Sequence, residues 1–214
     1  MTSLRHNSPD PSDPRDGYLD AARGLLLDVG WKRTTLTEVA RRAGVSRMTI
    51  YRTWADMPKL LGDLMTREWS GVVTAALTSG PDDAPLPDGP VDRLVETVVR
   101  CVRLLRENEL FVRILEVDPE LVLPYLLSRR GRSQDLVLEV LEQAVRDGQE
   151  AGAVRAGNPV AIARGVLLAA HGFVLSAHTM VDDRVSEQEV DAELALVVRA
   201  CLVPGSSTSR GSAR

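Results

Sequence analysis

The sequence has few of the residues on which disulfide, metal and stacking chemistry depend. Only 4% of its 214 residues are aromatic, and it has two cysteines and three histidines. Cys101 and Cys201 are too few and too far apart for a disulfide framework or a zinc site, so we expect small core residues in a reducing cytoplasm. His171 and His178 are seven residues apart and would share a helix face, but a helical metal pair prefers a spacing of three or four. We expect polar core or interface histidines.

Signatures of catalysis are missing too. The sequence has no glycine-rich phosphate loop, no nucleophile elbow, no His-Glu-x-x-His pair and no repeat at solenoid periods. We therefore predict no enzyme, no cofactor and no metal, since an all-helical enzyme would need an acid/base pair that the sequence does not name. No apolar run follows the first charges, which argues against a secretory signal and favours a cytoplasmic protein.

Charge is distributed unevenly along the chain. The sequence has 26 basic and 30 acidic residues, a net charge of −4. Residues 31–60 alone hold seven Lys/Arg against two Asp/Glu, a net of +5, so the remainder sums to −9. A basic module on an acidic body indicates a polyanionic partner.

The basic segment has the local signals of two short helices joined by a tight turn. Thr35 and Glu38 have the spacing of a capping box, in which the hydroxyl accepts from a backbone N–H and the carboxylate reaches back. Gly44 can adopt a left-handed conformation and end the first helix, and Ser46 is a good N-cap for the second. The pattern predicts a helix-turn-helix, whose second helix can enter the major groove of DNA.

The second helix of this pair has a distinct inward and outward side. Ile50 and Trp54 are four residues apart and are expected to face the core. The outward side and its flanks would carry Arg47, Met48, Thr49, Tyr51 and Arg52. Helix pairs with a glycine turn also occur in proteins that bind no DNA, so the pattern alone leaves both interpretations open.

The segment TLTEVARRAGVSRMTIYRTWADMPKLL resembles the N-terminal DNA-binding domain of the TetR family of bacterial repressors. It matches the family's elements at 36–40, 43–46, 50–54 and 59–61. Trp54 stands where Phe is more usual and keeps the packing role. Met48 stands where a small residue is common, so base preference can differ.

The resemblance implies specific contacts with DNA. Thr35, Tyr51 and Lys59 would contact phosphates, although a pure cap for Thr35 and partial core packing for Tyr51 stay open. Arginine can bind guanine in a bidentate way, which suits base reading. Arg41 and Arg42 are expected to be solvated or to give general electrostatic help rather than to read bases. The full predicted DNA-binding set is Thr35, Ser46, Arg47, Met48, Thr49, Tyr51, Arg52 and Lys59.

Helical periodicity continues to the C-terminal end, and no alternating strand run occurs, so we predict an all-α fold. It would combine an N-terminal three-helix DNA-binding domain with a C-terminal helical ligand-binding and dimerisation domain. The predicted boundaries are a flexible tail at 1–15, the helix-turn-helix domain at 16–57, the regulatory domain at 58–204 and a second tail at 205–214. Four prolines predict a loop over 79–90, and a break is expected near 128–133.

The last two predicted helices are the most apolar. The stretch 160–177 has the length of a membrane span, but Arg164, His171 and two glycines favour a buried or interfacial helix. In the TetR family such helices pair with their copies in a second subunit. Two-fold symmetry would place two reading helices on successive major-groove turns. The predicted homodimer contacts are Val174, Leu194, Val197, Val198 and Cys201.

The resemblance implies a repressor that a small molecule releases from its operator, with no membrane partner. A ligand that prefers the conformation unable to bind DNA would shift the population toward it. The alternative is a helical DNA-binding organiser or interaction protein with no ligand switch. The predicted ligand-binding residues, which otherwise fill the core, are Leu104, Phe111, Leu115, Leu138, Leu168 and His171.

Overall fold

The computed structural model describes residues 13–78 and 86–204. Over these residues the chain forms α-helices joined by turns, and the only β pairing is an isolated bridge between Asp182 and Val185. The prediction of an all-α fold is therefore confirmed.

The described residues contain ten α-helices and several short 3₁₀ turns. The helices are α1 (Pro14–Val29), α2 (Leu36–Arg42), α3 (Arg47–Thr53), α4 (Met57–Thr78), α5 (Pro90–Glu107), α6 (Glu109–Val117), α7 (Leu123–Leu127), α8 (Arg132–Glu150), α9 (Pro159–Ser176) and α10 (Glu187–Leu202). The 3₁₀ turns are Trp31–Arg33, Pro119–Leu121 and Ala177–Thr179.

Helix ends follow local capping chemistry. Asp13 accepts from the backbone N–H of Arg15 at 2.9 Å, and Pro14 suits the first helical position because its missing N–H would have no partner there. Helix α1 thus begins inside the predicted tail 1–15, of which residues 1–12 lie outside the described residues, as do 205–214. Of the predicted loop 79–90, residues 79–85 also lie outside the described part, 86–89 form no helix, and Pro90 begins α5. The predicted break separates α7 from α8.

Packing divides the chain into two units. The first contains residues 13–68 and 109–130, and the second contains 69–78, 86–108 and 131–204. The predicted domain boundary at 57/58 concerns function and stays a prediction. The segment from α6 to α7 packs with the N-terminal helices, although the chain reaches it from α5 and leaves it into α8, both in the second unit.

The first unit has one apolar core shared by α1, α2, α3, α4 and α6. Ile50 and Trp54 are almost fully buried in it, as the period of α3 predicts. The α6 residues Leu110 and Ile114 are buried in the same cluster. Its other members are Leu19, Ala21, Ala22, Leu25, Leu26, Leu36, Val39, Ala40, Leu60 and Leu64.

The second unit is built from α5, α8, α9, α10 and the end of α4, with α9 in contact with α5, α8 and α10. The segment Pro159–Thr179 is long and apolar enough to cross a membrane, with a mean hydropathy of 1.7 over its best window. Length and composition alone are weak grounds, because the core helix of a soluble protein meets the same criteria. Only 28% of that window is buried within this chain, so α9 has an apolar face that no described segment covers.

A buried ion cluster joins α5 to α10. The carboxylate of Asp191, which is 3% exposed, accepts from Arg103 Nε at 2.6 Å and from Arg106 Nη2 at 2.7 Å. Arg106 Nη2 also lies 3.1 Å from Glu187 Oε1. A buried carboxylate is tolerated when charge-assisted hydrogen bonds replace its hydration, and these arginines supply them.

Candidate nucleic-acid interface

The turn between α2 and α3 has the predicted local geometry. Gly44 adopts φ +69°, the left-handed conformation that favours glycine. Ser46 Oγ accepts from the backbone N–H of Thr49 at 3.2 Å and caps α3. Thr35 Oγ1 accepts from the N–H of Glu38 at 3.2 Å and caps α2. The turn and both caps are therefore confirmed.

The second half of the predicted capping box is wrong. The Glu38 carboxylate does not reach back to the Thr35 backbone but accepts from Arg41 Nε at 2.9 Å. Arg41 lies one helical turn further along α2, and a guanidinium offers a charged partner where the backbone offers a neutral N–H. The pairing also leaves Arg41 with its charge compensated.

Trp54 anchors the C-terminal end of α3. Its indole Nε1–H donates to Asp63 Oδ2 of α4 at 2.9 Å, and Arg15 Nη2 of α1 donates to the same oxygen at 2.8 Å. Tyr18 packs edge-on against the indole ring, with 6.3 Å between the ring centroids. A Phe would keep the packing but not the hydrogen bond. The buried side of α3 is thereby fixed to α1 and α4.

The opposite side of α3 is exposed. Arg47, Met48, Tyr51 and Arg52 occupy positions i, i+1, i+4 and i+5, which share one helix face, and Met48 is 73% exposed. Ser46 and Thr35 are exposed at the two caps, Thr49 is half-buried, and Lys59 is exposed in the first turn of α4. The eight predicted DNA contacts thus all belong to the first unit, and all but Thr49 are exposed.

The seven cations of the basic segment 31–60 fall into two groups. Lys32 Nζ lies 3.0 Å from Glu120 Oε1, Arg41 Nη2 lies 2.8 Å from Glu38 Oε2, and Arg42 pairs with Asp28. Arg33 Nε donates to the carbonyl of Val29 at 3.1 Å. By contrast, the side chains of Arg47, Arg52 and Lys59 form no hydrogen bond or ion pair with a described residue.

Ion pairing also changes the pKa of Lys32. The hydrogen bond from Lys32 raises the lysine's pKa above its usual value and lowers the pKa of Glu120. Both side chains are exposed, so solvent screens the pair. Free cations on an exposed helix face are suited to a polyanion, whereas paired ones must first give up a carboxylate.

The predicted ligand-binding residues are spread over both units. Phe111 and Leu115 belong to the first, and Leu104, Leu138, Leu168 and His171 belong to the second. Leu168 is 70% exposed, so its side chain lines no interior site within the protomer. Burial lowers the pKa of His171 below its usual value. His178, expected on the same helix face, lies beyond α9 in a 3₁₀ turn.

Some of the predicted dimer residues lie in the interior of the protomer and others lie at its surface. Val174, Leu194 and Val198 are buried inside the protomer, so we assign them to the core rather than to an interface. Val197 is exposed and Cys201 is half-buried. The apolar period identified α10 correctly, but three of the five selected residues pack within the chain.

Two carboxylates that bind other segments of the first unit were not expected from the sequence. Asp63 holds the end of α3, and Asp118 accepts from the backbone N–H of Trp31 at 2.7 Å. The Asp118–Trp31 contact spans 87 residues, and no local pattern marks it. Among the described residues, no cluster of three or more His, Cys, Asp or Glu side chains could hold a metal ion.

Comparison with known proteins matches this geometry to a family. Residues 19–64 match the model of the bacterial regulatory proteins, tetR family. The chain is 32% identical over 187 residues to Rv2250c, an uncharacterized HTH-type transcriptional regulator of Mycobacterium tuberculosis, covering 87% of this chain and 93% of that protein. It is 34% identical over 83 residues to the HTH-type transcriptional regulator AqdR of Rhodococcus erythropolis, covering 38% of this chain and 35% of AqdR.

Solved structures agree in fold. The SmeT–triclosan complex is 25% identical with a TM-score of 0.57, covering 90% of this chain and 96% of SmeT, the repressor of the Stenotrophomonas maltophilia multidrug efflux pump SmeDEF. RolR in complex with resorcinol is 14% identical with a TM-score of 0.62, covering 90% of this chain and 88% of RolR. At that identity, RolR shows the fold alone. Nothing in these comparisons supports a DNA organiser without a ligand switch.

Proposed function

The chain belongs to the TetR family of bacterial transcriptional regulators, and from this premise we propose that it is a homodimeric repressor released from its operator by a small molecule. The observation that carries the proposal is the exposed face of α3. Arg47 and Arg52 stand there without a carboxylate partner among the described residues, within the segment that matches the family model.

We assign two kinds of DNA contact to this surface. Arg47, Met48, Thr49 and Arg52 would read or flank base edges in the major groove, with arginine able to bind guanine through two hydrogen bonds. The remaining four residues would position the protein on phosphates, since hydroxyls, ammonium groups and exposed backbone N–H groups carry no base preference. These are Thr35, Ser46, Tyr51 and Lys59.

The dimer interface would be formed by the exposed sides of α9 and α10, which contact one another within the chain. Leu168 is exposed on α9, and Leu196 and Val197 on α10. Small residues continue these stripes at spacings of three or four, which lets a partner helix approach closely. The proposed face comprises Ala161, Gly165, Leu168, Gly172, Ala192, Leu196, Val197 and Ala200.

Leu196→Glu should disrupt this dimer, because it would place a charge in an apolar contact. Sedimentation at micromolar concentration should show monomers. Leu127→Glu, at an exposed position of α7, should leave the dimer intact and serves as the control. An intact Leu196→Glu dimer would move the interface elsewhere.

We further propose a small apolar or amphipathic effector and a cytoplasmic location, since a repressor must reach the chromosome. SmeT, at 25% identity, is seen with triclosan. Within the second unit, Leu104, Leu138 and His171 are the candidates for ligand contacts. Helix α4 runs along the chain from Lys59 in the first unit into the second, so it can transmit a ligand-induced change. Such a ligand acts by preferring the conformation that does not bind operator.

Selection from a pool of random duplexes tests the proposed function. The wild-type protein should enrich a two-fold symmetric sequence whose half-sites lie roughly 34–36 Å apart, one turn of the helix. A pool that shows no enrichment, or an asymmetric single site, would contradict a homodimeric operator-binding protein.

A further inference from the structure

We propose that Asp118 is a positioning residue for DNA binding. Its buried carboxylate accepts a hydrogen bond from the 3₁₀ turn Trp31–Arg33, which lies just before α2. The inference rests on the proposed function and adds a residue outside the DNA-contacting surface. Asp118 lies directly after α6, and we define the clamp segment as residues 109–121, from α6 through the following 3₁₀ turn.

A short, partly buried hydrogen bond joins the clamp segment to the 3₁₀ turn Trp31–Arg33. The backbone N–H of Trp31 donates to Asp118 Oδ2 at 2.7 Å, and Asp118 is 3% exposed. Trp31 begins a 3₁₀ turn, so its N–H has no acceptor within that turn. A carboxylate accepting from such an N–H forms a charge-assisted bond, which is stronger than a neutral one.

Gly30 makes the approach of the carboxylate possible. Its φ is +77°, and a Cβ at this position would stand 3.2 Å from Asp118 Oδ2. A side chain would therefore be strained in its backbone and would press on the carboxylate. Glycine at position 30 therefore leaves room for the Asp118 carboxylate to reach the Trp31 N–H.

The turn passes its position directly to a predicted phosphate contact. The N–H of Thr34 donates to the Trp31 carbonyl at 3.0 Å, and Thr34 Oγ1 donates to the Gly30 carbonyl at 2.8 Å. Thr34 is buried, so the turn is rigidly bonded, and Thr35, the N-cap of α2, follows immediately. A shift of this turn would therefore also displace Thr35.

Two ion pairs also hold the clamp segment in place, but they are weaker than the Asp118–Trp31 hydrogen bond. Glu109 Oε2 lies 3.3 Å from Arg23 Nη2, and Glu120 Oε1 lies 3.0 Å from Lys32 Nζ. Exposed pairs of this kind contribute little. Along the chain, the clamp segment directly follows α5 of the second unit and leads through α7 to α8, also of the second unit. The second unit is therefore covalently connected to the clamp segment as well as to α4.

The test compares Asp118→Ala with Asp118→Asn, which keeps an oxygen acceptor at the same place. Affinity is measured for a duplex selected by the wild-type protein and for a random-sequence duplex. Asp118→Ala should bind the selected duplex at least about tenfold more weakly, and the random duplex within about threefold of wild type, because misplaced contacts affect specific docking most. Asp118→Asn should restore most of the affinity, and the control Glu120→Gln should stay within about twofold of wild type.

An Asp118→Ala protein that binds the selected duplex as tightly as wild type would overturn the proposal, and so would an equal loss on both duplexes. If the wild type selects no duplex, the proposed function fails, and amide exchange still judges the positioning role. In the wild type the Trp31 N–H should exchange slowly, and in Asp118→Asn faster while the core amides keep their protection. Exchange of the wild-type Trp31 amide at the rate of an exposed group would refute the hydrogen bond, whether or not Asp118→Ala folds.

Discussion

Two arginines in each unit of this chain occupy opposite chemical situations. In the second unit, Arg103 and Arg106 bind the buried carboxylate of Asp191. In the first unit, Arg47 and Arg52 project from α3 with no carboxylate partner among the described residues. The difference teaches that net charge alone does not locate a binding surface. A paired arginine stabilises the fold, and an unpaired one is available to a ligand of opposite charge.

The largest effect should follow from breaking the paired side of this comparison. Asp191→Ala leaves two guanidinium groups without their buried partner, so the free energy of unfolding should fall by about 3–5 kcal/mol. Urea unfolding followed by circular dichroism measures it. Asp92→Ala removes an exposed pair with Arg199 and is the control, with an expected loss below about 1 kcal/mol. Equal losses for the two variants would mean that burial does not decide the strength of these pairs.

The next effect concerns the unpaired side. Arg52→Ala should weaken binding to the selected duplex by about 1–3 kcal/mol if the guanidinium binds a guanine, and leave the urea midpoint unchanged. Arg41→Ala is the matched control, because that arginine is also exposed in the same module but paired with Glu38. A gel-shift titration compares them. Unchanged affinity for Arg52→Ala would remove the residue from base reading.

A smaller and less selective effect is expected for the third unpaired cation. Lys59→Ala should weaken binding to all duplexes alike, because a phosphate contact carries no sequence information. The plot of log affinity against log salt concentration should flatten by about 0.9 for each phosphate that the variant no longer neutralises. Equal slopes for variant and wild type would contradict the phosphate role.

The smallest effect concerns the half-buried histidine of the second unit. Burial lowers the pKa of His171, so as pH falls through about 6.5 the unfolded chain binds a proton before the folded chain does. Stability should therefore decline from pH 7.5 to pH 5.5, and His171→Gln should reduce that decline. His178→Gln, at an exposed position, is the control. Parallel declines in urea midpoint for all three proteins would show that His171 does not titrate as burial requires.

Local chemistry made much of the DNA-binding module predictable. The caps Thr35 and Ser46, the turn at Gly44 and the core residues Ile50 and Trp54 depend on neighbours a few positions away. The Glu38 prediction was wrong because Arg41, equally close, offered a charged partner. The site residues on α3 follow from the same short-range pattern, and their roles in DNA binding stay predictions.

Contacts between distant segments were not predictable in the same way. Asp118 and Trp31 are 87 residues apart, and a lone Asp before a proline signals only a turn. Periodicity showed that α9 and α10 are apolar, but each helix has apolar residues on two sides. Leu194 packs inside the chain and Leu196 faces outward, and only the packed structure separates them.

The most direct test of the central claim sets two triple variants against each other at one salt concentration. Replacing the unpaired cations Arg47, Arg52 and Lys59 by alanine should weaken binding to the selected duplex by at least about a hundredfold. Replacing the paired cations Lys32, Arg41 and Arg42 by alanine removes the same formal charge and should change it by less than about fivefold. Equal losses would contradict the account, because they would show that total charge, rather than unpartnered charge on α3 and the start of α4, binds the DNA.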